Sequence, residues 1–515
     1  SALYFTNTVR LTSLSKKPSC FLHDNQMDTS PVRTEMKEEQ LKKMEEMVCR
    51  SPQLLAKWAG NDVCCIFKVP TKLHKINSWT YQPQVVSIGP YHGDQSSLTM
   101  FQELKWVYLR STLDRTKMKL QDLMKVILSL EMEARECYSE NIPLSREKFM
   151  EIMLLDGCFV LELFHREAYL VSYEENDPIF NLPWVLPSMA EDLLKLENQI
   201  PYCILQKLFD SVRTKGTSLP LLALGFFSRI SGKPNTVNDR VAGHEFRHLL
   251  DLVRKSYIEG FPKSSGKYEI SMGSQSSGKV EKFLKRIKKL KRNLRRLIRT
   301  NIEGDDIRSG SIYNSDDRKQ SSRGSQEDYL NVVSTMSKLS QSGIKPKHVG
   351  EGSFLWVSFK KGMLHMPTIT FSGSMGTFLH NCIAYEQCQG RTNLHFTTYA
   401  VLLDCLIDTT KDVGYFCEAK IFENLLGSEK EVVKLINGLC KEVSYNLESC
   451  YLVHVFMEIE KYYNNPWHRH WTSFKSIYMK TPWIFLSTLA AIILLLLTFL
   501  QTFYTVFAFH HTNSK

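Results

Sequence analysis

From Trp483 to Phe509 the chain carries no Asp, Glu, Lys, Arg or His, and the run centres on Ala490-Ala491-Ile492-Ile493-Leu494-Leu495-Leu496-Leu497. About 20 apolar residues rising ~1.5 Å each cross the ~30 Å hydrocarbon core of a bilayer, so this stretch can span one with some tilt. A helix of a soluble protein turns one face to water and rarely stays uncharged for so long. The sequence therefore predicts an integral membrane protein with a transmembrane helix over 483–509, a juxtamembrane segment over 464–482 and a short tip over 510–515. Trp467, Trp471, Trp483, Phe503 and Tyr504 add aromatic rings on both flanks, where interfaces favour them.

Orientation follows from charge. Arg469, Lys475 and Lys480 precede the run, whereas the only Lys or Arg after it is Lys515. Positive residues favour the cytoplasmic side, which predicts a cytosolic body at the plasma membrane or an endomembrane. The opening residues show no basic stretch leading into an apolar core, so no secretory signal is expected. No Asn lies in an N-x-Ser/Thr acceptor, and the 13 cysteines are scattered without a C-x-x-C pair. Both features fit reduced, mostly buried thiols.

With 515 residues and 43% hydrophobic content, the chain can bury one large or two medium cores. A polar extension over 1–60, helical around Met36–Met47, gives way to two extended segments, Val63–Pro70 and Gln84–Pro90. Apolar residues then recur at helical spacing from Phe101 to Tyr138, and Phe149–Phe164 is apolar almost all round, as in a buried helix. The first part of the body is expected over 61–259. A second part, 331–463, carries a strand at Phe354–Phe359 turning at Lys361-Gly362 into Met363–Pro367. Helices are expected near Val332–Leu339, Phe378–Gln387, Tyr399–Ile407, Glu431–Val443 and Leu452–Tyr463. The fold class is mainly α with a few short strands.

Net charge is +11, but Lys and Arg crowd into 279–299, between Ser/Gly-rich stretches of a 260–330 insertion. On a helical wheel Phe283, Leu284, Ile287, Leu290, Leu294, Leu297 and Ile298 share one face. Such a basic amphipathic helix suits an anionic lipid surface, an acidic protein partner, or simple packing on its own body. No recognition motif accompanies the charge, so a nucleic-acid partner is not expected. The binding candidates are Lys285, Lys288, Lys289, Arg292 and Arg296.

His244-Glu245-Phe246-Arg247-His248 fits H-E-x-x-H, which on a helix would aim two imidazoles at zinc with a glutamate as general base. Arg247 puts a cation between the ligands and no third ligand declares itself, so His244, Glu245 and His248 are weak metal candidates, and no cofactor is expected. Asp156, Glu197, Glu386, Asp404 and Asp408 could pair for acid/base work if two of them met in a cleft. Isolated in apolar settings, they must instead be satisfied structurally.

Several segments resemble one family. They are Cys65–Pro70, Pro83–His92 with Gly89-Pro90, and Met153–Phe159 around Asp156-Gly157. Leu196–Pro201 with Glu197, Asn198, Gln199 and Pro201, His248–Arg254 with Asp251, and Asn381–Gln387 with Glu386 follow. Leu406–Thr409 with Asp408, Asp412-Val413, Asn424–Ser428 and Asn465–Trp467 complete the pattern. Together, over roughly 60–508, they resemble the plant family called domain of unknown function 247. Lys195, where the family would place an apolar residue, and Lys420, where glycine is usual, depart from it. The resemblance implies an architecture, no catalytic residues, and a leaning toward recognition or signalling, since some grass members resemble pollen-side determinants of self-incompatibility. The alternative is a membrane-tethered hydrolase.

Overall fold

The computed structural model describes residues 42, 46, 64–93, 98–212, 216–230, 244–259, 334–350, 352–389, 394–445, 450–468, 470, 472 and 482–512. The chain divides into two compact units, Ser1–Ala59 and Gly60–Lys515. Of the first, only Lys42 and Glu46 are described, both helical and exposed. The basic segment 279–299 and its five binding candidates lie outside the described residues.

The body is mainly helical. Its first half gathers around α4 (Arg146–Glu167), which follows α1 (Thr71–Ile76), α2 (Thr99–Thr116) and α3 (Leu120–Glu136). Ser145 caps α4 by accepting from the Lys148 N–H, and almost every residue from Met153 to Arg166 is buried. The long amphipathic stretch after Phe101 is two helices, because Lys117 adopts a left-handed φ of 58° and ends α2. α5 (Pro178–Asn181), α6 (Val185–Asp192), α7 (Tyr202–Val212), α8 (Leu219–Ile230) and α9 (Leu249–Glu259) follow. α2, α3, α7 and α8 all pack on α4. A Cβ on Gly157 would overlap Leu208 Cδ1, so the glycine sets how closely α4 and α7 approach.

The second half begins with α10 (Met336–Gln341) and continues through β1 (Lys345–His348), β2 (Ser358–Lys360), β3 (Met363–Met366) and β4 (Ile369–Phe371). α11 (Gly373–Cys388), α12 (His395–Leu406), α13 (Thr410–Glu418), β5 (Phe422–Asn424), α14 (Glu429–Leu439) and α15 (Val453–Tyr463) complete the body. β3 is the middle strand of three, parallel to β1 and antiparallel to β2, and β4 pairs in parallel with β5. The expected hairpin is present. Its turn residues Lys361 and Gly362 take φ of 50° and 78°, the pair of positive angles that a tight hairpin requires. Its first strand is shorter than the sequence suggested, because Phe354 to Val357 lie outside the sheet. α11 packs against α6, α9, α12 and α14, joining the halves through one continuous core.

α16 (Pro482–Thr512) contains a stretch, Leu486–Val506, that is long and apolar enough to cross a membrane and is not buried by the rest of the chain.

Candidate functional site

Gln84 to Gly89, whose β-branched sequence suggests a strand, bends at Gln84, Val85 and Gly89 and has no sheet partner; its backbone is held by side chains instead. Asp192, at the end of α6, accepts from the N–H groups of Gln84 (2.9 Å), Val85 (2.7 Å) and Val86 (3.0 Å). Asn198 accepts from the Ile88 N–H (2.6 Å) and donates to the carbonyls of Val86 and Asp192 (both 3.0 Å). Asp156, on α4, accepts from the Gly89 N–H (2.8 Å). Two buried lysines close the frame. Lys105 Nζ bonds the Ser87 carbonyl and Asp156 (both 2.5 Å), and Lys195 Nζ bonds the Gln82 carbonyl (2.7 Å) and Asp192 (2.9 Å).

Burial pushes the Asp156 carboxyl above the ordinary carboxylate range, while Lys105 and the Gly89 N–H pull it back. Gly89 takes φ of 79°, and a Cβ there would collide with the Gln199 carbonyl, so the Gly89-Pro90 turn admits only glycine.

The rest of the Leu196–Pro201 motif works the same way. Gln199 donates to the carbonyls of Leu193 (2.7 Å) and Lys195 (2.9 Å) and accepts from the Leu250 N–H (3.3 Å). Glu197 accepts from the Val69 N–H (2.8 Å) and Lys68 Nζ (3.1 Å), with His92 Nε2 at 3.4 Å. Burial raises its pKa, but His92, Lys68 and the Val69 N–H more than offset that, so the carboxyl ends below its ordinary value. Pro201 is buried at the start of α7, whereas Pro70 is the exposed residue that opens α1.

The H-E-x-x-H residues do not form a zinc pair. His244 to His248 precede α9 and are not helical, so the shared face that zinc binding needs never forms; His244 and Glu245 are exposed. His248 is buried with both ring nitrogens used: Nε2 donates to the Cys65 carbonyl (3.1 Å), and Nδ1 accepts from the Asp251 N–H (3.2 Å). Burial drives its pKa down to about 4 despite the nearby Asp251, so the ring is neutral. Cys65 is buried, its N–H on the Cys137 carbonyl (2.9 Å). Among the described residues no three His, Cys, Asp or Glu side chains gather where a metal ion could sit.

Asp404 lies near enough to Asp408 to feel its charge, and Asp251 and Glu386 share Arg254 (3.6 and 3.1 Å). Asp251 takes the Arg247 N–H (3.1 Å) and Lys255 (3.0 Å). Glu386 takes Arg254 (3.1 Å), the N–H groups of Phe396 (3.1 Å) and Thr397 (2.8 Å), and the Thr397 hydroxyl (2.9 Å). Asp408 is exposed, and the structural role at that motif falls to Asp412. Asp412 caps α13 with Thr409 and binds the Ser337 N–H (2.7 Å) and hydroxyl (2.6 Å). Asp404, half-buried, has its carboxyl lifted to about 6 by burial and then by Asp408.

Neither of the two pockets that stand out among the described residues contains a motif carboxylate. One, of about 10 Å³ between Tyr81, His380 and Leu439, has room for about one water. The other is an open groove of about 280 Å³ on α3.

The sequence reading missed Lys105, Asp192, Arg254 and the full weight of Lys195. Lys105 had a signal: it stands among Phe101, Leu104 and Tyr108 on the apolar face of α2, where only a paired cation is tolerable. Asn381, which accepts from the Leu196 N–H (2.9 Å) and donates to the Thr80 (3.0 Å) and Thr377 (2.8 Å) carbonyls, ties α11 to the same frame.

A family model described as a plant protein of unknown function matches residues 66–497. The UPF0481 protein At3g47200 of Arabidopsis thaliana is 31% identical over 473 residues, covering 90% of each chain. The putative UPF0481 protein At3g02645 of the same plant is 22% identical over 483 residues, covering 86% of this chain and 90% of its own. No solved structure matches. The frame around Gln84–Gly89 lies within the matched span, and the chain belongs to the plant DUF247 family.

Proposed function

We propose that this protein is a membrane-anchored binding protein acting in recognition or signalling, with α16 spanning the bilayer and the body on the cytosolic side. One observation carries the reading: the buried motif carboxylates Asp156, Glu197, Asp251 and Glu386 are each taken up by backbone N–H groups and a neighbouring cation. A hydrolase needs two such groups facing one open space with lone pairs to spare, and neither of the two pockets described above holds a motif carboxylate. Motif chemistry spent on a scaffold leaves contact specificity to the surface and to segments outside the frame. The basic segment 279–299 is the binding element in this reading, through Lys285, Lys288, Lys289, Arg292 and Arg296. It engages an anionic lipid surface or an acidic protein partner, and no nucleic acid.

The test is protease treatment of sealed microsomes carrying the full chain, with and without reversal of those five residues to Glu. The expected outcome is digestion of the body with protection of only the tip. Charge reversal should leave insertion intact but weaken binding to phosphatidylserine vesicles or to partner, most at low ionic strength. A fully protected body would overturn the orientation, and binding unchanged by reversal would overturn the role of the segment.

A further inference from the structure

The outer face of the three-stranded sheet is basic. Register sets Lys345 of β1 and Lys360 of β2 beside Met363 of β3, and two residues further along sets Lys347 and Ser358 beside His365. Residues two apart on a strand share a face, so Lys345, Lys347, Lys360 and His365 stand together. The alternate residues Phe359, Leu364 and Met366 are buried on the other face, where the rings of Phe359 and Tyr462 of α15 pack edge to face at 5.7 Å. Lys361 adds a fourth lysine at the turn, and all four are exposed.

Among the described residues no carboxylate forms an ion pair with any of these four lysines. The His365 imidazole is held below its ordinary 6.5 by burial first and then by Lys347 and Lys360, with no carboxylate acting against them. From Gly343 to Met366 the sequence carries four lysines and one acidic residue, Glu351, which lies outside the described residues. Like charges fixed on one sheet face repel one another, and an anionic surface relieves that repulsion.

The place where the chain leaves the body selects the anion. Beyond α15 the His468 ring stacks on Tyr462 at 3.8 Å, and the Thr472 hydroxyl donates to the His468 carbonyl (2.8 Å). A Cβ on Gly343 would overlap the Thr472 hydroxyl, and one on Gly362 would overlap the Tyr462 hydroxyl, so the chain exits against the Gly343 and Gly362 end of the sheet. Lys345, Lys360 and Lys361 stand at that same end, since the Lys345 N–H donates to the Gly362 carbonyl (3.0 Å). α16 begins at Pro482, ten residues beyond Thr472, a reach of at most ~36 Å. From Lys461 to Lys515 the chain carries no Asp or Glu. We propose that the face formed by Lys345, Lys347, Lys360 and Lys361 lies on the membrane that α16 spans and binds the phosphate-bearing headgroups of its anionic phospholipids. This rests on α16 as the anchor and is independent of the segment 279–299.

The experiment places the full chain in nanodiscs of phosphatidylcholine, with or without phosphatidylserine, and follows acetylation of each lysine by an uncharged reagent with mass spectrometry. Lys345, Lys347, Lys360 and Lys361 should react about fivefold more slowly or less in the phosphatidylserine discs, and high salt should remove the difference. Lys72 and Lys119, exposed in the first half of the body, should react alike in both discs. Hydrogen exchange at β1 and β3 reads the same contact in a chain carrying Lys345→Glu, Lys347→Glu, Lys360→Glu and Lys361→Glu together, where the slowing by phosphatidylserine should vanish. If a melting curve shows that chain unfolded, acetylation of the unaltered protein decides. A chain that does not enter the discs fails as an anchored protein and takes the proposal with it. An inserted chain whose four lysines react at one rate in both discs overturns the proposal alone. So does equal slowing of Lys72 and Lys119, a folded Glu variant that keeps the slowing, or slowing lost when Lys285, Lys288, Lys289, Arg292 and Arg296 are reversed to Glu, since the segment and not the sheet would then hold the lipid.

Discussion

Lys195 and Lys420 depart from the family pattern, and the structure accounts for both. Lys195 is buried against Asp192, and Lys420 takes a left-handed φ of 58° just after α13, a conformation that glycine adopts without steric cost. Lys420→Gly should therefore stabilise the body by about 1 kcal/mol in chemical denaturation, and no change would refute the conformational reading. Lys195→Leu should destabilise it by about 3 kcal/mol, because Asp192 keeps its N–H donors but loses the opposing charge. Two titrating groups pull stability in opposite directions. His248, neutral with its pKa near 4 against an ordinary 6.5, contributes fully above 6.5, and that contribution is lost as pH falls toward 4. Asp404, lifted to about 6 from 3.8, is best accommodated below 3.8 and becomes a burden as pH rises through 6. Asp404→Asn should raise stability at about pH 7.5 by about 1–2 kcal/mol and leave it unchanged near about pH 3. Equal melting of the two proteins at the higher pH would contradict the assigned burial. These roles were only half legible in the sequence. A lysine on an apolar face announces that it has a partner, but not which carboxylate, and nothing local separates the exposed Asp408 from the capping Asp412 except the Thr409-x-x-Asp412 spacing.

Helices were the most legible elements, since α2, α3, α4, α11 and α12 each show recurrent or continuous apolar residues over several turns. The break at Lys117 was not, because a lysine forced into a left-handed angle leaves no compositional mark. Gln84–Gly89, expected to be a strand or extended, bends at Gln84, Val85 and Gly89 and joins no sheet, and its stabilisation by Asp192, Asn198 and Asp156, far away in sequence, is a tertiary fact that no local pattern encodes. The short β1, β4 and β5 escaped for a related reason: three or four residues carry too little alternation to be told from loop. Where elements touch, glycine carries information. Gly157→Ala, whose new Cβ would meet Leu208 Cδ1, should cost about 1–3 kcal/mol, and adding Leu208→Ala should recover part of the loss. Additive losses in the double variant would mean that α4 and α7 do not meet there.

At the scale of the molecule, α16 is the strongest statement in the sequence, and most motif residues of the body it follows look inward, Pro70 and Asp408 excepted. Truncation before Lys480 should convert the protein to a form released by carbonate, whereas the full chain should pellet; a truncated chain that still pellets as integral would place the anchor elsewhere. The central claim is that Asp156 and Asp192, with Asn198, hold a sheetless backbone segment, and amide hydrogen exchange reads this directly. The account predicts that the N–H groups of Gln84, Val85, Val86, Ile88 and Gly89 exchange as slowly as those of buried α4, and that Asp192→Ala releases the first three. Exchange at the rate of an exposed loop in the unaltered protein would show the carboxylates free for other work, and would contradict it.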